Sequence, residues 1–132
     1  MITEVGEKPK ERRHSMSEGK IQADSHSWFW NTFPQYRKCF FSIPNENNRA
    51  DSSAISGAIR KAMGVTKGVA DTMLAIQRGG FGGMFVEFKT EVGRQSSEQK
   101  EWEIIIQNQG YLYRVIRSLE EFKELINWYL AL

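Results

Sequence analysis

A single cysteine, Cys39, rules out an intramolecular disulfide and fits a reducing, cytosolic setting. The two histidines, His14 and His26, have no metal-ligand spacing with Cys39, so nothing points to zinc. The longest aliphatic runs, such as Ile104–Ile106, are far too short for a bilayer span. The polar, charged N-terminus has no apolar stretch of signal-peptide type. The net charge of +2 is too small to argue for nucleic acid by itself. It does not argue against it either, because an acidic metal site would offset basic patches elsewhere. Repeats, low-complexity segments and linkers long enough to divide the chain are all lacking.

What remains is a chain of 132 residues, 40% hydrophobic and 12% aromatic, enough for one globular domain with one modest core. Residues 1–14 read as a flexible arm, either a solvated tail or a phosphate-touching segment. Residues 15–132 read as the folded domain. A helix is expected from about Ser15–Ser17 to Thr32, with Ile21, Ser25, Trp28, Phe29 and Thr32 on one face and Ser15 and Glu18 at capping-box spacing. Cys39 to Ile43 reads as a short buried strand, with Cys39 a buried structural thiol, closed by a loop from Pro44 to Asn48. Ser52 or Ser53 then caps a helix to about Met63 with an apolar ridge of Ile55, Ile59 and Met63. The strands Ala70–Gln77 and Met84–Lys89 flank a glycine-rich hairpin connection, Arg78–Gly83. Ser96 and Gln99 form a second capping-box pair at the start of a helix ended by Gly110. A strand Tyr111–Ile116 and a last helix capped by Ser118 follow, with Phe122, Leu125, Ile126, Tyr129 and Leu130 as its core face. The order α-β-α-β-β-α-β-α makes this an α/β protein. Most of the four tryptophans, all on helices, are expected in the core. Tyr111 and Tyr113 are expected to pack more than to stack on bases.

The chemistry concentrates in Asp71, Glu87 and Lys89. Side chains alternate along a strand, so Glu87 and Lys89 share one face while Phe88 points the other way. Two strands of one hairpin can bring all three together at the open end of a sheet. Two carboxylates beside a lysine suit a hard divalent cation and an anionic substrate. Such an ion can polarise a phosphate and lower the pKa of an attacking water, so the residues themselves suggest a metal-dependent nuclease.

Six segments then resemble, in order and spacing, the VRR-NUC family of virus-type replication-repair nucleases. These are Ser17–Gln22, Ile43–Glu46, Gly64–Asp71, Val86–Lys89, Gly93–Trp102 and Gly110–Ser118. The resemblance spans roughly residues 15–131. Ala70 and Ser97 stand where the family commonly has proline, and both leave the chemistry-bearing residues intact. The resemblance implies a restriction-endonuclease-like core of the PD-(D/E)xK superfamily, with a mixed central sheet flanked by helices. It implies a magnesium or manganese cofactor and a DNA substrate. Short stand-alone members, often phage-encoded, resemble Holliday junction resolvases and act as homodimers. A homodimeric, cytoplasmic junction resolvase in a bacterial cell is therefore the expectation, without membrane association. Flaps, ends or linear duplex are the alternative substrates, and a non-catalytic DNA-binding module the alternative class.

On this resemblance Asp71 and Glu87 are metal ligands, with the Phe88 backbone carbonyl as a third oxygen. Lys89 holds or activates the attacking water or stabilises charge on the phosphate. Gln99 is an extra active-site residue, unless it serves only as the N3 member of its capping box. Glu18 completes the site from the first helix, unless it caps Ser15; Gln22 lies one turn further on. Lys67, Arg94, Arg114 and Arg117 are candidates for DNA phosphate contacts, although Arg114 can equally point to solvent.

Overall fold

The computed structural model describes residues 16–44 and 56–132. Helix α1, Glu18–Thr32, leads through a 3-10 helix, Pro34–Cys39, into β1, Phe40–Ser42. Helix α2, Gly57–Ala62, precedes β2, Thr72–Leu74, and β3, Met84–Phe88. Helix α3, Ser97–Asn108, strand β4, Leu112–Ile116, and helix α4, Leu119–Leu130, complete the chain. The helices and strands follow the expected succession, with the 3-10 helix inserted. They form a mixed α/β fold on a four-stranded sheet of order β1-β2-β3-β4. The first two pairings are antiparallel and β3–β4 is parallel, Glu87 lying opposite Val115. A parallel pair needs a crossover, and α3 supplies it. No helix among the described residues is long and apolar enough to cross a membrane.

The period-2 alternation of the strands sorts the core into two clusters. Met84, Val86 and Phe88 of β3 join Leu74, Leu112 and Ile116 with Ile21 and Phe29 of α1 and Phe122, Ile126 and Tyr129 of α4. Phe85 of β3 joins Ala70 and Tyr113, with Trp102 and Ile106 of α3 packed against them. All five residues of β3 are buried, as a central strand covered on both faces should be. The Tyr129 hydroxyl donates to the Ile76 carbonyl at 2.6 Å and ties α4 to the chain leaving β2.

Several expectations are corrected. The N-cap of α1 is Ser17, whose hydroxyl accepts from the Lys20 amide at 3.2 Å. Glu18 is therefore the first helical residue; its expected capping partner Ser15 lies outside the described residues. Cys39 closes the 3-10 helix and is only partly buried, not a strand residue sealed in the core. The N-cap of α2 is Ser56; Ser52, Ser53, Ile55 and residues 1–15 lie outside the described residues. Ile59 and Met63 are 53% and 69% exposed, so the anticipated ridge of α2 faces outward. Thr32 is exposed too. Trp30 and Trp128 are exposed and carry the guanidinium groups of Arg37 and Arg114 over their rings, at 5.1 and 6.0 Å. Indole faces attract such cations at a protein surface, which gives an exposed tryptophan a partner other than the core.

Candidate active site

Antiparallel pairing sets the start of β2 beside the end of β3, with Thr72 opposite Val86. Asp71, just before β2, thereby meets Glu87 and Phe88 where β3 leaves the sheet. The Phe88 amide donates to Asp71 Oδ2 at 2.8 Å, which fixes the aspartate against the strand that carries the glutamate. Glu87 shares the α3 face of β3 with Phe85, and is only 2% exposed.

Helix α3 reaches the same spot with its first turn. Ser96 and Gln99 form the capping box: the Gln99 amide donates to Ser96 Oγ at 3.1 Å, and Gln99 Oε1 accepts from the Ser96 amide at 2.9 Å. The other end of the same side chain, Nε2, donates to Glu87 Oε1 at 2.9 Å. The two readings of Gln99 thus describe one residue, whose carbonyl caps the helix while its amino group holds the glutamate.

Lys89 lies beyond β3, its largely buried ammonium 3.9 Å from Glu87 Oε1 with no closer partner among the described residues. Glu18 approaches from α1; its Oε1 lies 3.6 Å from where a Cβ on Gly93 would sit. Glu18, Gln22, His26, Ser42 and Asp71 line a cleft of about 740 Å³. Glu18, Gln22 and His26 succeed one another at four-residue intervals on one helix face, and Gln22 is 3.5 Å from Ser42 Oγ. The place of His26 in this row was visible in its spacing, yet the sequence reading considered it only as a zinc ligand.

The basic candidates divide. Arg94 is exposed beside this loop and makes no hydrogen bond or ion pair among the described residues. Lys67 is exposed on the loop before Asp71 and lines a groove with Glu98 and Trp102. The Arg117 guanidinium donates to the carbonyls of Thr90 and Gly93, at 2.7 and 2.6 Å, and so shapes the loop between Lys89 and Arg94. Arg114 lies over Trp128 and donates to the Tyr113 carbonyl at 2.9 Å. By strand alternation its side chain leaves the sheet on the face opposite Tyr113 and Glu87. Glu18, Asp71, Glu87, Lys89 and Gln99 are brought together; Arg114 is not.

Burial, and next the neighbouring Asp71 charge, push the Glu87 carboxyl up to about 8, against which Lys89 pulls less strongly. Burial raises the Tyr113 hydroxyl above the usual tyrosine range as well, with Glu87 as the second cause. Glu87 is the ionisable centre of the site, and its charge is not neutralised by the protein alone. Among the described residues no group of three or more His, Cys, Asp or Glu side chains could hold a metal ion. Two carboxylates and a main-chain carbonyl are instead a donor set that suits magnesium, which commonly binds through one or two carboxylates and keeps several waters. An added cation would offset the charge that Glu87 resists carrying.

The displaced Glu87 carries a consequence for stability. Its ordinary value is 4.5 and its folded value about 8. Between those values the folded chain binds more protons than the unfolded one, so stability falls as pH rises through that window. Above about pH 8 the whole penalty is present; below about pH 4.5 it is absent. Glu87→Gln removes the charge, while its amide still has to be buried among the same partners. Thermal melts in chelator should show Glu87→Gln more stable than the natural protein above about pH 8, by up to about 5 kcal/mol. The difference should vanish toward about pH 4.5. A difference independent of pH would contradict the burial of a charged carboxylate at this position.

The comparisons agree with this architecture. A solved structure described as a VRR_NUC domain protein superposes with a TM-score of 0.75 at 21% sequence identity, covering 89% of this chain and 90% of that one. No curated protein sequence matches it significantly. The family model of the VRR-NUC domain matches residues 13–120. The chain belongs to the VRR-NUC family, and such a domain implies a nuclease-type function with DNA as substrate.

Proposed function

We propose that this protein is a divalent-metal-dependent endonuclease of the restriction-endonuclease-like type that hydrolyses phosphodiesters in branched DNA, acting as a homodimeric Holliday junction resolvase. The observation that carries the hydrolytic reading is the convergence of Asp71, Glu87, Lys89 and Gln99 at one end of the sheet, beside a cleft that Glu18 also lines. Asp71, Glu87 and the Phe88 carbonyl would hold magnesium or manganese. When bound, the ion supplies charge that polarises the phosphate and lowers the pKa of the attacking water.

The protein's own groups do the rest. Gln99 keeps one oxygen of Glu87 occupied and leaves Asp71 and the other face of the carboxylate toward the ion. Lys89, with its ammonium free of a close partner, offsets negative charge growing on the phosphate during in-line attack. Glu18 can accept a hydrogen bond from water in the cleft. Arg94, exposed beside the loop that Arg117 braces, contacts a flanking phosphate, and Lys67 meets the backbone further along. The junction preference and the dimer rest on the family's short members; a two-fold axis would present two sites to opposite strands.

The test is a gel cleavage assay with magnesium or manganese. It compares a synthetic four-way junction with a flap, a splayed arm and a linear duplex of matched sequence. Paired symmetric nicks confined to the junction are the expected result. Cleavage of flaps or linear DNA instead would keep the nuclease and discard the resolvase. Absence of metal-dependent cleavage on every substrate would leave a DNA-binding module.

A further inference from the structure

We propose that Tyr113 and Gln95 are a positioning pair that fixes the orientation of the Glu87 carboxylate from the side opposite Gln99. This rests on the reading of Glu87 as a metal ligand.

The two oxygens of Glu87 have different partners. Oε1 accepts from Gln99 Nε2 at 2.9 Å and faces Lys89 at 3.9 Å. Oε2 lies 3.4 Å from the Tyr113 hydroxyl. Tyr113 is 1% exposed and packs with Phe85 and Ala70 under α3. Its strand partner across the parallel pairing is Phe85, two residues before Glu87. The phenol therefore reaches diagonally along one face, a span within reach of a long side chain.

The direction of the hydrogen bond follows from what stands behind it. Gln95 Nε2 lies 3.3 Å from the Tyr113 hydroxyl and 3.5 Å from Glu103 Oε2. An ionised carboxylate only accepts, so the Gln95 group facing Glu103 must be its amino group, and an amino group only donates. The Tyr113 oxygen thus receives a hydrogen bond from Gln95, and its single proton is directed at Glu87. The chain runs one way, from Gln95 through Tyr113 to Glu87, with Glu103 holding the amide. The contacts are long, as hydrogen bonds in an unloaded site often are.

A buried carboxylate held at one oxygen can still turn about its last torsion. Held at both, it presents a fixed lone pair toward Asp71. Partners that orient a metal ligand in this way are typically worth roughly 10–100-fold in metal affinity. Tyr113 is thus more than a packing residue, and Gln95 is more than the residue preceding the N-cap of α3.

The experiment is isothermal titration of Mn²⁺ into the whole chain, with a thermal melt of each protein. The natural protein is compared with Tyr113→Phe, Gln95→Leu and the double variant. Tyr113→Phe keeps the ring, and should melt near the natural protein while binding Mn²⁺ roughly 10–100-fold more weakly. Gln95→Leu, on a partly exposed loop residue, should weaken binding by a smaller factor. The double variant should bind no worse than Tyr113→Phe alone, because Gln95 acts only through the tyrosine; a merely structural role would not give that non-additivity. Undiminished Mn²⁺ binding by Tyr113→Phe would overturn the assignment, as would a Gln95→Leu effect that persists undiminished without the hydroxyl. A natural protein that takes up no Mn²⁺ would overturn the metal-centre reading itself and this assignment with it.

Discussion

Lys89→Ala is expected to lower metal-dependent DNA cleavage by roughly 10²–10⁴-fold while leaving the fold intact, the range for a positioned acid–base or charge-stabilising group. The fold should survive because Lys89 follows the last residue of β3, and among the described residues its ammonium makes no hydrogen bond and only the 3.9 Å ion pair with Glu87. Its side chain belongs to neither core cluster. The rate should fall because this is the cation nearest the carboxylate pair, in a place shielded from water, where a charge acts with more effect than at the surface. Two measurements separate the terms. A thermal melt reports the fold, and the single-turnover rate on the preferred DNA reports the chemistry. The variant should retain most of its DNA affinity, since one phosphate contact among several is being removed. Near-normal cleavage would show that the ammonium takes no part. A rate loss accompanied by an equal loss of DNA binding would assign Lys89 to substrate capture.

The legibility of this site in the sequence was uneven, for identifiable reasons. Asp71, Glu87 and Lys89 were readable because strand alternation is exact and a hairpin closes over a short distance. Gln99 was readable as a member of two alternatives, and its capping role does not exclude it from the site, since a glutamine side chain carries an acceptor for the helix cap and a donor for Glu87 at opposite corners of one amide. The start of α1 falls within the expected span of Ser15 to Ser17, two serines that serve equally well as N-caps; with Ser17 as the N-cap, the Glu18 side chain lines the cleft. Ile59 and Met63 were misjudged because apolar residues at helical spacing signify burial only when another element covers that face. The six-residue α2 leaves these two side chains in solvent. Tyr113 and Gln95 were legible only as a packing residue and a loop residue. The contact of Tyr113 to Glu87, and of Gln95 to Tyr113 behind it, depends on a parallel pairing across a crossover, a long-range register that no local period encodes.

Gly68→Ala is expected to destabilise the fold by about 3 kcal/mol or more. Two effects add. Gly68 has φ +86°, a left-handed conformation that costs a residue with a Cβ roughly 1–2 kcal/mol. A Cβ there would also run into the backbone carbonyl of Glu98 and come within 2.9 Å of the Gln99 amide. Backbone atoms in the first turn of α3 cannot rotate aside as a side-chain tip can, so the loop or the helix must move. The bare Gly68 backbone is thus the surface on which α3 is seated, three residues before Asp71 and directly against the residue that holds Glu87. Gly64→Ala is the internal control. Gly64 has φ +91° just past the C-cap of α2, and a Cβ there meets nothing within 4 Å. It should lose only the conformational part, about 1 kcal/mol. Chemical denaturation of both variants measures the difference. Gly68→Ala should also lose cleavage well before it unfolds, because a displaced α3 takes Gln99 away from Glu87, whereas Gly64→Ala should cleave normally. Equal destabilisation of the two would mean that the loop yields freely, and that the alignment of Asp71 with Gln99 does not depend on the close approach at Gly68.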